Sequence, residues 1–123
     1  MSYEVAQYAR NYERMVGREI AYSDMVCNQF VLAVLRGTVA PNIPNMRADD
    51  FVNSPSFQRV DTPRAGDLVH WPGHIGIVLD PDLGVFIGSQ TSTGVAESNY
   101  KSGWWSGAFN GKRPDYFLRY TGF

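Results

Sequence analysis

Along the first sixteen residues, apolar positions recur every three or four: Val5, Tyr8, Tyr12 and Met15, with Arg and Glu between them. That spacing predicts an amphipathic helix from Tyr3 to about Val16, stopped by Gly17. A polar connector, REIAYSD, follows. MVCNQFVLAVLRG then predicts a second, more buried helix. Val26, Phe30 and Val34 lie on one stripe, with Cys27, Val31 and Leu35 beside it. Ser23 or Asp24 is placed to cap its start and Gly37 to close it.

From Thr38 to Arg64 the chain is rich in Pro, Asn and Asp. Irregular structure is expected there, with one short helix around Met46 to Asn53. A connection this long in a compact domain is often functional. The second half then changes period. GDLVHW, HIGIVLD, GVFIGSQ and TGVAESNY are short apolar runs separated by PG, PDLG and TSTG, the pattern of an antiparallel meander. YFLRYTGF reads as a last strand, after the Gly- and aromatic-rich loop KSGWWSGAFNGKRPD. Helices first and strands later indicate an α+β fold in a single domain spanning 1–123.

Composition narrows the classes. Hydrophobic residues make up 44% of the 123, enough for a core, which excludes disordered and fibrous chains. The net charge is −1 and there is no long basic stretch, so nucleic acid is not an expected partner. No apolar run has the length of a membrane span, and MSYEVAQYARNYER does not read as a signal peptide. One cysteine makes no internal disulfide, so the thiol of Cys27 is free for chemistry. No cofactor is implied. One Cys and two His make poor material for a zinc site. The strand–turn–helix elbow of a serine hydrolase is absent, and GKRPD lacks the rest of a phosphate loop.

Cys27 falls in the first turn of its predicted helix, where unpaired N–H groups and the macrodipole favour a thiolate. A nucleophile needs a base, and both histidines, His70 and His74, lie in the GDLVHWPGHIGIVL hairpin. His74 begins a strand with Gly76 on its face, and that glycine leaves room for a neighbour such as the Cys helix. An imidazole base also calls for a third group to orient it. In the next strand Gln90 is the first candidate and Ser89, facing the other way, the second.

These pieces resemble the NlpC-type cell-wall peptidases. VCNQFV is similar to the family's D-C-S-G-F-V around the nucleophile. RAGDLVHWPGHIGIVLD resembles its G-D-L-V strand followed by H-V-G-I, which carries the base onto His74 rather than His70. GHIGIVL is also similar to the G-H-V-A-I-V strand of cysteine- and histidine-dependent amidohydrolases, whose third group is commonly acidic or an amide. Val26 and Asn28 replace the Asp and Ser that flank the family's cysteine, and Gly88 stands where its third-residue His is usual. The resemblance runs from about Tyr22 to the final strand. It implies a papain-like fold, with the Cys helix packed on a C-terminal antiparallel sheet.

The activity implied is cysteine amidase or endopeptidase action on peptidoglycan peptide stems. Tyr22, Ser23, Asp24, Trp71, Trp104 and Trp105 are the candidate substrate-contacting residues, with core packing the favoured role for Trp71. Free-standing domains of this kind resemble antibacterial effectors. Such a protein is a monomer made in the bacterial cytoplasm, delivered to the periplasm or wall by a dedicated secretion system and opposed by an immunity protein. The competing expectations are a thiol acyltransferase or deamidase acting elsewhere, and an inactive wall-binding module. Loss of Cys27 or His74 is expected to abolish hydrolysis, and loss of His70 to cost far less.

Overall fold

A computed structural model describes residues 2–122. The N-terminal helix is two pieces, α1 (Ser2–Arg10) and α2 (Tyr12–Val16), rather than one. Asn11 separates them with φ −98° and ψ 4°. Its side-chain Nδ2 donates to the Gln7 carbonyl at 3.0 Å, alongside its backbone N–H at 3.2 Å. An Asn that competes for its own helix's carbonyls breaks the register there. Gly17 ends α2 in the left-handed conformation, φ +88°.

The buried helix α3 spans Cys27–Arg36. Neither Ser23 nor Asp24 caps it. Val26 is the capping position, and its N–H donates to Oε1 of Gln29 at 2.9 Å. Asp24 instead pairs with Arg18 at 3.2 Å on the surface. This correction moves Cys27 to the first residue of the helix. Phe30, Val31, Val34 and Leu35 of α3 are fully or almost fully buried. A 3-10 turn at Ala48–Asn53 realises the expected short helix.

Six antiparallel strands form one sheet: β1 (Phe57–Val60), β2 (Leu68–Trp71), β3 (His74–Asp80), β4 (Val85–Gln90), β5 (Gly94–Asn99) and β6 (Tyr116–Tyr120). Their order is β1-β6-β2-β3-β4-β5. The expected meander is β2 to β5. The last strand does not extend it but inserts between β1 and β2, with Leu118 opposite both Arg59 and Leu68. The junction is pinned by Asp67, which is 1% exposed and takes a two-pronged contact from Arg119 at 3.0 and 2.8 Å. Asp67 also accepts the Arg64 N–H at 2.7 Å. The aspartate of the GDLV motif is thus a structural anchor, and its hydrogen bonds, with its charge, hold the Arg119 guanidinium above its ordinary pKa.

Side chains alternate across the sheet and divide the core in two. Leu68, Ile75, Ile77, Ile87, Val95 and Leu118 pack with α3. Val69, Trp71, Val78, Phe86 and Tyr100 form a smaller cluster on the opposite face, closed by Trp105 and Phe117. Gly76 serves this second cluster. A Cβ there would stand 2.7 Å from the Phe86 ring, so the space expected for the Cys helix is filled by Phe86 of the adjacent strand.

Candidate active site

Cys27 is brought to the sheet by the position of α3. Ser89 is fully buried on the helix side, and its hydroxyl donates to the Met25 carbonyl, tying the end of β4 to the turn that enters α3. Asn28 donates to the Met46 carbonyl at 2.8 Å and fixes the same turn to the long loop. The ladder between β3 and β4 runs through Ile77 opposite Ile87 and Val78 opposite Phe86. It does not reach Ile75. The Ile75 N–H acts on the Cys27 sulfur in the sense that favours the thiolate.

The thiol is 6% exposed. Burial pushes it above its ordinary pKa, while the N–H groups of Ile75, Asn28 and Cys27 itself pull the other way, and the charge of Asp49 adds to burial. Free N–H groups at a helix start support a thiolate, but here desolvation is the larger effect.

His74 is the residue before Ile75, so its ring leaves the backbone next to the sulfur's N–H partner. It is 6% exposed and lies on the face opposite α3. Trp105 stacks on it at 4.4 Å with the planes 16° apart, and Trp71 packs at 5.4 Å. Burial lowers its pKa to about 4, partly offset by the Gln90 amide, with Lys112 and His70 adding to the lowering. His74 Nε2 and Gln90 Oε1 are the two buried side-chain polar atoms without a hydrogen-bond partner among the described residues. Gln90 thus acts on the ring from just outside normal hydrogen-bonding geometry. Its amide nitrogen, Nε2, donates to the Ala96 carbonyl at 3.3 Å.

Gly88 explains how Gln90 reaches this place. A Cβ at residue 88 would lie 2.7 Å from Gln90 Oε1. The glycine where a third-group His was expected makes the room into which the Gln90 amide folds. Ser89, the second candidate, is on the other face and already engaged with Met25.

Tyr22, His74, Trp104 and Trp105 line one cavity of about 410 Å³, with Lys112 at its edge. Four of the expected site residues are thereby brought together. Trp71 is not among them: it is fully buried and donates its indole N–H to the Trp105 carbonyl at 3.0 Å. It supports the site from behind. Ser23 and Asp24 are exposed and do not line this cavity. A larger cavity of about 750 Å³ lies along α3 against Asp24, Met25 and Asn28, and contains neither the thiol nor an imidazole. Among the described residues, no group of three or more His, Cys, Asp or Glu is arranged to hold a metal ion, and no helix is long and apolar enough to cross a membrane.

His70 is on the helix side of the same hairpin, buried between Asp115 and Asp49 at 2.6 and 2.9 Å. Both ring nitrogens are engaged, so neither is open to a thiol proton. Sequence reasoning missed these two carboxylates. No family model and no curated protein matches the chain.

Proposed function

We propose that the protein is a cysteine amidase of papain-like fold that cleaves amide bonds through an acyl-enzyme on Cys27. One observation carries this reading. The Ile75 N–H, next to His74, acts on the Cys27 sulfur, and the buried Nε2 of His74 and Oε1 of Gln90 both stand unpartnered. Unpartnered buried polar atoms are rare and call for an explanation. A base whose partner tightens only when it becomes charged supplies one.

The thiol and imidazole rest as a neutral pair at pH 7, since one is raised and the other lowered. The thiol proton passes to His74 Nδ1 as the sulfur attacks the amide carbonyl carbon. The new C–S bond leaves a tetrahedral oxyanion, which the Cys27 N–H helps to hold. As His74 becomes imidazolium, its Nε2–H closes onto Gln90 Oε1 and stabilises the charge. His74 then gives its proton to the departing amine nitrogen as the C–N bond breaks. Water, deprotonated by His74, attacks the thioester and releases a carboxylic acid and the free thiol.

The resemblance to NlpC-type peptidases makes peptidoglycan peptide stems the proposed substrate. The aromatic wall of Tyr22, Trp104 and Trp105 supports a cleft for a peptide of that kind. Delivery to the wall of a competing cell, with an immunity protein closing the cleft, is the setting proposed for it. The test is digestion of purified peptidoglycan, with released fragments identified by mass. Stem-peptide fragments with wild type and none with Cys27→Ala support the reading. No fragments from walls of several cross-link types would overturn it.

A further inference from the structure

The β2–β3 hairpin carries both histidines, and the one with no part in the proposed chemistry is the better held. His70 is 3% exposed. Its Nδ1 meets Asp115 Oδ1 at 2.6 Å and its Nε2 meets Asp49 Oδ1 at 2.9 Å. The same Asp49 oxygen accepts the Gly73 N–H at 2.8 Å. The Asp115 N–H returns to the His70 carbonyl at 3.0 Å. The 48–53 turn, β2 and the entry to β6 converge on one ring, and the chain of contacts ends at the residue before His74.

His74 needs such support. Its Nε2 has no hydrogen bond, and its ring is held by stacking on Trp105 and packing on Trp71. Its place must therefore come from the backbone that delivers it. Gly73 takes φ +78°, a conformation that ordinary residues rarely adopt. The Asp49 bond to its N–H fixes that turn.

We propose that His70 and Asp49 are positioning residues for His74. His70 locks Asp49 in one rotamer, and Asp49, through the Gly73 N–H, sets the angle at which His74 leaves the turn. The proposal rests on the reading of His74 as the base.

The experiment is the titration of His74 by imidazole NMR, a signal that needs no turnover. Gln90, Trp71, Trp105 and Lys112 face His74, and the charge of His70 acts on it through the sheet; Asp49→Ala alters none of these side chains directly. The wild-type midpoint is expected at about 4, lowered chiefly by burial. D49A is expected to admit water to the ring and raise the midpoint by about one pH unit or more. It should also lower kcat about tenfold with KM little changed. Asp49→Asn keeps an acceptor for Gly73 and is expected to titrate as wild type. Asp115→Ala, on the far side of His70, should move the midpoint upward by less, and it decides the question if D49A does not fold. An unmoved His74 in folded D49A, or D49N behaving as D49A, would overturn the proposal. A moved midpoint in a protein that digests no peptidoglycan would leave the positioning intact and remove the proposed function instead.

Discussion

The two histidines of one hairpin lie four residues apart and differ in almost every physical respect. His70 faces α3 with both nitrogens held by carboxylates at 2.6 and 2.9 Å. His74 faces the other way, stacked on an indole, with a buried nitrogen that has no hydrogen-bond partner among the described residues. Both are almost fully buried, so burial does not distinguish them. Satisfaction does. A ring with every partner in place is a structural joint, while one left short of a partner suits the base proposed above. The β-hairpin makes the division possible: Trp71 pairs with His74 across the two-residue turn, so His70, one residue before Trp71, points to the opposite face.

The strongest way to break this comparison is to remove each ring in turn. His74→Gln is expected to lower kcat/KM by on the order of 10³-fold or more, with the fold retained on circular dichroism. His70→Asn should lose only about tenfold, in kcat, because it acts through Gly73. Equal losses would erase the distinction. Next in size is a stability effect remote from both rings. Arg119→Ala leaves the Asp67 carboxylate buried without its charge partner and is expected to cost about 3 kcal/mol or more in denaturant unfolding. Near-wild-type stability would show that Asp67 is not the anchor described.

The pH dependence of stability sharpens the comparison from the His74 side. Its pKa falls from 6.5 to about 4 on folding, through burial first. The unfolded chain therefore binds a proton at this site between those values and the folded protein does not. The stability present above pH 6.5 is lost as pH falls, by on the order of 3 kcal/mol by about pH 4. His74→Gln should flatten that part of a stability–pH curve. A curve equally steep in the variant would place the acid sensitivity elsewhere. The acid limb of activity should likewise fall near pH 4 and not near 6.5. The smallest expected effect is at Gly88. Gly88→Ala pushes on Gln90 Oε1, whose flexible side chain yields, so activity drops several-fold to about tenfold while the melting temperature barely moves. Unchanged activity would remove Gln90 as the orienting group.

Much of this was legible in the sequence because its signals are local. The meander from β2 to β5 follows from apolar runs with turn residues between them, and α3 from its stripe. Cys27, His74 and Gln90 follow from motif and period. Other features were not legible for equally physical reasons. β1 buries one residue fully among Phe57–Val60, too weak a pattern to mark a strand, and it exists because β6 pairs with it. The cap of α3 is Val26, whose N–H is satisfied by Gln29, so the usual oxygen-bearing residue gives no signal. The carboxylates on His70 come from 21 and 45 residues away, and no spacing rule connects them to it.

The central claim is that Cys27 and His74 act as an acyl-transfer pair where α3 meets the start of β3. The most direct measurement is intact-protein mass spectrometry during reaction with a peptidoglycan stem peptide. The account predicts a transient adduct of the acyl fragment's mass, mapped to Cys27, discharged by hydroxylamine and absent from Cys27→Ala. Peptide cleavage that continues in Cys27→Ala, with no adduct in wild type, would contradict it.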